Sequence, residues 1–261
     1  MINELSIEEF VEMMMDMREK IDPFELLKYE YQEAKNSIRN KESVHWKEML
    51  AVLSFAMNYP AKHLSAEDML RLKKVLMPLI SIVIAFVPQS SCEEMIALHD
   101  AGCLDLVSVD EESKVEVDAD GKIIYHFSDE TLNKKIEYKT FVDCIGQKHL
   151  SLEAFPFESL LAAGTVSAAR LKFRSPEQGK EMYQRDEENV ETGANDDFFL
   201  KVPGIAITDN FRVVEKSGYE NPRIYVMAVP FIGGFNPDYS GLDFCEAASD
   251  NIVKDILQHE E

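Results

Sequence analysis

The chain has 261 residues, 46% of them hydrophobic, and a net charge of −21. That length and apolar content suit one large or two small globular domains with a real core. The charge disfavours nucleic acid and anionic membrane surfaces as partners.

Other exclusions follow. The longest apolar stretch, Val75–Val87, contains Pro78 and Ser81 and is too short to span a bilayer. The opening residues Met1–Glu9 lack the basic and apolar regions of a signal peptide. Cys92, Cys103, Cys144 and Cys245 stand singly, and the histidines show no metal-ligand spacing. No metal site or disulfide framework is expected, and a reducing cytoplasm fits. Residues 1–90 carry 14 acidic and 11 basic side chains, so about −18 of the −21 falls on 91–261. The break predicts two regions, and the acidic one reads first as a solvated surface.

Residues 1–90 read as helices. Ser6 and Glu9 form a capping box ahead of Phe10, Met13, Met14 and Met17, which share one face. Asp22-Pro23-Phe24-Glu25 is a second start, and Phe24, Leu27, Tyr31 and Ala34 share its face. Ser43 caps a third helix whose packing face is Trp46, Met49, Leu50, Leu53 and Met57; Pro60 ends it. Ser65 and Asp68 start a fourth, which Pro78 should kink. A fifth, Cys92–Ala101, closes on Gly102.

From Leu104 the period changes to two. Leu104–Val109, Val115–Val117 and Ile123–Phe127 predict an antiparallel meander with a turn at Asp120-Gly121. Thr140–Ile145 reads as a short strand ending in Gly146. Glu158–Ala163 reads as a short helix stopped by Gly164, and Ala168–Phe173 as a strand. Glu177–Asp197 is acidic and reads as a loop. Gly204–Val214 resumes β character with Asn210 at its turn. Ile224–Val229 reads as a buried strand, Pro230–Ser240 as a glycine-bearing loop, and Ser240 with Asp243 as the cap of a helix from Gly241 to Gln258.

Two segments together resemble bacterial FAD/NAD(P)-binding oxidoreductases of the YdhS-like group. Phe141-Val-Asp-Cys-Ile-Gly146 is similar to their second fingerprint, a strand ending in glycine near the dinucleotide. Pro203–Val214, followed by Asn221–Val226 and a loop into a helix, is similar to their closing segment. The helical region with Trp46, the Pro88 turn and Leu98-His-Asp-Ala-Gly102 resembles their insert. The resemblance implies an α/β fold of α+β character. A helical insert-like region, 1–90, precedes a meander and a partial Rossmann-like FAD/NAD(P)-binding domain, 91–261. The first fingerprint, Gly-x-Gly-x-x-Gly after an early strand, is missing.

The chain therefore reads as the C-terminal part of such an oxidoreductase, carrying the closing side of a flavin site and inactive alone. The alternative is a non-catalytic acidic interaction module derived from the same fold. The resemblance implies FAD as a cofactor that this chain alone does not retain, and NAD(P) as a cofactor of the complete enzyme. A missing N-terminal FAD-binding half or a second copy is the implied partner, and strands Thr140–Ile145 and Ile224–Val229 should be neighbours. The matching positions are Ile145, Gly146 and Gln147, then Pro230, Phe231, Gly233, Gly234, Gly241 and Leu242. They either line the flavin crevice or serve turns, packing and capping. Cys144, among apolar neighbours, reads as a buried inert thiol before a redox one. No catalytic residue is named by the sequence.

Overall fold

Capping side chains set where the helices begin. The computed structural model describes residues 5–57, 60–79, 87–109, 112–128, 133–144, 149–186, 188–235 and 241–259. Helix α1, Ile7–Glu19, opens on the reciprocal box: Ser6 N–H donates to Glu9 Oε2 at 2.8 Å and Glu9 N–H to Ser6 Oγ at 3.2 Å. Helix α2, Pro23–Asn40, opens where Asp22 Oδ1 accepts from Phe24 and Glu25 N–H, each at 3.0 Å. Helix α3, His45–Met57, is followed by a 3-10 turn, Pro60–His63. Helix α4, Ala66–Arg71, is capped by Ser65, whose side chain accepts from Asp68 N–H.

A π turn, Leu72–Leu76, then leads into α5, Met77–Leu79. Met77 N–H reaches back to Leu72 O. The wider register falls just before Pro78, which has no N–H to continue an α ladder. Helix α6, Gln89–Asp100, ends in a Schellman motif: Gly102, at φ 68°, donates to His99 O, and Cys103 to Leu98 O.

Strands β1 (Lys114–Val117), β2 (Ile123–Ser128) and β3 (Asn133–Tyr138) form an antiparallel sheet in chain order. Helix α7, Glu158–Ala162, stops at Gly164 as the sequence predicts. Next come β4 (Ala168–Lys172), α8 (Pro176–Arg185), β5 (Val190–Thr192) and β6 (Phe198–Ile205). Their sheet order is β4-β6-β5. Strands β7 (Arg212–Val214) and β8 (Glu220–Tyr225) make a hairpin, α9 is the single turn Val229–Ile232, and α10 runs Gly241–Gln258. The fold is mixed α/β, as the sequence predicts. Every ladder among the described residues is antiparallel.

The chain divides into two compact units. The first comprises Met1–Asp16, Lys41–Phe86 and Gln147–Glu261. Its core is built on alternation in β4 and β6: Ala169, Leu171, Leu200, Val202 and Ile205 point inward with Met69 and Leu72 from the α4 region and Phe244 and Ala248 of α10. A smaller cluster joins Val11 and Leu79. The second unit comprises Met17–Asn40 and Val87–Gly146. There α2 packs on α6, with Phe24 stacked on His99 at 3.7 Å and Lys28 paired to Asp100 at 2.9 Å.

Several expectations are corrected. Leu104–Val109 and Thr140–Cys144 form no strand, because neither finds a ladder partner among the described residues. The predicted strand Ile224–Val229 is displaced: pairing ends at Tyr225, and β8 pairs with β7. Pro230, with φ fixed for a helix start, turns the chain into α9 instead. Glu177–Asp197 is not a loop. Ser175 caps α8 by accepting from Gln178 N–H, Pro176 takes its first turn, and Val190–Thr192 pairs with β6. The helical faces of α1 and α3 are less covered than their periodicity implies. Phe10, Met13, Met17, Trp46, Met49 and Leu53 are exposed, whereas Val11 and Ser54 are buried. Cys144 is exposed rather than buried.

Candidate functional site

The turn between β6 and β7 builds a polar cleft in the first unit. Thr208 N–H donates to Arg212 O at 2.9 Å and Phe211 N–H to Thr208 O at 3.1 Å. Thr208 Oγ1 accepts from Asn210 and Arg212 N–H at 3.3 and 3.2 Å. Phe211 sits at φ 64°, a left-handed conformation unfavourable for a bulky residue. Its buried ring, edge-on to Phe244 at 5.9 Å, holds it there. The tight turn thereby directs Asp209, Asn210 and Arg212 towards other elements.

Asp209 receives two side chains from the 3-10 turn. Lys62 Nζ lies 2.5 Å and His63 Nε2 2.9 Å from its Oδ1. The Lys62 side chain is only 6% exposed. Burial pushes its pKa below the usual lysine range, against the opposing effect of Asp209. Arg170, paired to Glu191 at 2.9 Å and stacked 4.2 Å over Phe199, lines the same cleft. The cleft encloses about 530 Å³. The charges of Lys62 and Arg170 are balanced by Asp209 and Glu191, and among the described residues no serine or cysteine lines the cleft.

Behind the cleft lies a buried carboxylate. Asp255 of α10, 4% exposed, accepts from Asn210 Nδ2 at 2.7 Å, Arg212 Nε at 2.5 Å and Tyr225 OH at 2.7 Å. Burial alone would raise its pKa, but the bonds from Tyr225, Arg212 and Asn210 outweigh it and hold the carboxyl below the ordinary range. Arg212 and Tyr225 are register partners across β7 and β8. One carboxylate therefore ties both strands of the hairpin to the last helix.

The residues singled out from sequence fall in three places. Pro230, Phe231, Gly233 and Gly234 share one packed turn around α9. Phe231 is buried edge-on to Phe155 at 5.3 Å, and Pro230 O accepts from Leu150 N–H at 2.7 Å. The glycines there are crowded by the chain itself. A Cβ on Gly233 would lie 2.1 Å from the His149 ring, and one on Gly234 would lie 1.9 Å from Pro203 O. Gly241 opens α10 at φ 84° with open space around it, and Leu242 beside it is 87% exposed. Ile145, Gly146 and Gln147, like the Ser240 cap, lie outside the described residues.

Residues 1–84 match the family model described as the YdhS-like middle domain. A stretch of 159 residues, 61% of this chain, is 24% identical to the "Uncharacterized protein YdhS" of Escherichia coli (strain K12). That match covers 29% of the relative, so the chain spans less than a third of its length. No solved structure matches. The family match includes α1 to α5 and therefore Lys62 and His63, while the rest of the cleft lies beyond it.

Sequence reasoning named Asn210 only as a turn residue and missed Lys62, Asp209, Arg212 and Asp255. One signal was present. Arg212 stands inside the apolar run Phe211–Val214, where a charge needs a buried partner. Among the described residues no cluster of ligating side chains could hold a metal.

Proposed function

We propose that the chain is part of an FAD/NAD(P)-dependent oxidoreductase, in which the Lys62–Arg212 cleft forms the closing side of the flavin site. One observation carries this reading. Ala206–Asn210 and Arg212, which line the cleft, belong to the segment Pro203–Val214 whose sequence resembles the closing segment of flavin enzymes. The cleft volume suits a ligand of modest size, and Lys62, His63, Arg170 and Asn210 offer donors to its polar atoms. FAD, when bound, supplies the hydride chemistry. The chain's own residues orient one side of it and exclude water. On this reading the other side of the site comes from the missing half, so the chain alone is inactive. The match of residues 1–84 to the YdhS-like middle domain supports the same grouping.

The test is a fluorescence titration of FAD with the purified chain. Saturable binding that weakens in the double variant His63→Ala/Arg170→Ala is expected, since both side chains are exposed at the cleft mouth. No binding, or binding indifferent to the pair, refutes the assignment.

A second reading, a non-catalytic acidic interaction module, is favoured by α3. That helix leaves Met49, Val52, Leu53 and Phe55 exposed along 13 residues. Absence of FAD binding with retained folding is the outcome that reading predicts.

A further inference from the structure

We propose that β3 joins two copies of the chain edge to edge, making one six-stranded antiparallel sheet from two meanders. β3 is an outer strand in the order β1-β2-β3 and is exposed at all six residues. Among the described strands it pairs with β2 alone, so one row of its backbone N–H and C=O groups faces outward, ready to template another strand.

The two faces of this sheet differ, although Lys134, opposite Phe127, stands at the end of the apolar one. Register aligns Val115, Tyr125 and Ile136 in one row and Val117, Ile123 and Tyr138 in the next. The two-residue period puts both rows on one apolar face. Lys114, His126 and Lys135, then Glu116, Ile124 and Glu137, occupy the other. The apolar face stays partly open: Val117 is 69% exposed, and Ile136 and Tyr138 are exposed beside it. Three strands of four to six residues bury little by themselves. Doubling the sheet continues that face across the junction.

The sequence of β3 selects a second copy as the occupant. Lysines on an edge strand ordinarily repel pairing. Here Lys135 shares the polar face with Glu137 two residues on, in Asn133-Lys-Lys-Ile-Glu-Tyr138. A twofold axis through Ile136 sets Ile136 against its own copy and Lys134 against Tyr138. On the polar face it sets Lys135 against Glu137, twice by symmetry. Glu137 is already bonded to Lys122 at 3.0 Å yet remains exposed, so Lys135 of a second copy adds another cation to it. The opposite edge is a poorer choice. β1 has four residues, and its Glu116 is held by Lys114 at 2.7 Å and by His126 at 3.1 Å.

Sedimentation velocity of the full 261-residue chain, from micromolar to millimolar concentration, tests the pairing. A dimer is expected. Lys135→Glu and Glu137→Lys should each weaken it about tenfold or more, because each puts two like-charged pairs across the junction. The double exchange Lys135→Glu/Glu137→Lys should restore it. These are exposed positions, so circular dichroism and thermal unfolding should show the folded chain in every case. A chain that stays monomeric, a dimer indifferent to the single changes, or one that the double exchange leaves broken would overturn the proposal.

Discussion

Arg212 and Tyr225 oppose each other across β7 and β8 and donate to the same oxygen of Asp255, at 2.5 and 2.7 Å. The hairpin and α10 are thus fastened by a carboxylate 43 residues from one partner and 30 from the other. Asp255→Ala leaves Arg212 buried without its counter-charge and should cost on the order of 3 kcal/mol in urea unfolding. Replacing both partners, as Arg212→Met/Asp255→Leu, should recover much of that loss. A single-variant cost near zero would remove the fastening role.

The same carboxylate predicts a pH dependence. Its folded pKa lies below the unfolded value of 3.8. Between the two values the unfolded chain binds the extra proton, so stability rises with pH there. The contribution is complete above the unfolded value and lost as pH falls through the folded one. The melting temperature of the native chain should therefore exceed that of Asp255→Asn at neutral pH, and the gap should close in strong acid. A gap that is constant over this range contradicts the assignment.

The glycines near α9 predict a graded series. Gly204 sits at φ 106°, and a Cβ there would lie 2.1 Å from Phe231 O; on Gly234 it would meet Pro203 O at 1.9 Å. Alanine at either position should destabilise by about 3 kcal/mol or more, since backbone must move. Gly241 has open space and only its φ of 84° to oppose a side chain, so Gly241→Ala should cost about 1 kcal/mol. Equal effects at all three positions would mean that crowding around α9 is not what requires glycine.

Lys62 should titrate below the ordinary lysine range when its Nζ is followed by NMR, because burial lowers its pKa and Asp209 only partly offsets this. Asp209→Asn removes the opposing charge and should move the titration lower still. An unchanged Lys62 in that variant would show that Asp209 does not set its charge.

What the sequence discloses here is local chemistry. Ser6 with Glu9, Asp22 and Ser65 mark helix starts because a side chain and a backbone N–H three residues on are bound to meet. Gly102 and Gly164 mark stops for the same kind of reason. Helix α8 was equally legible in Ser175-Pro176-Glu177, but the acidity that follows masked it. β3 was hidden because Asn133–Tyr138 is polar and exposed and is specified by its neighbour β2. The cleft was hidden for a longer-range reason. Lys62 meets Asp209 across 147 positions, and Arg212 meets Asp255 across 43, and no periodicity encodes either pairing. The glycine motif around Gly233 was visible, but its spatial neighbours His149 and Pro203 were not.

The most direct measurement follows backbone amide shifts of the isotope-labelled chain during addition of FAD. The proposed flavin wall predicts saturable changes at Lys62, His63 and Thr208–Arg212, reversed when FAD is removed by desalting. Shifts confined to other residues, or none at saturating FAD, would contradict it.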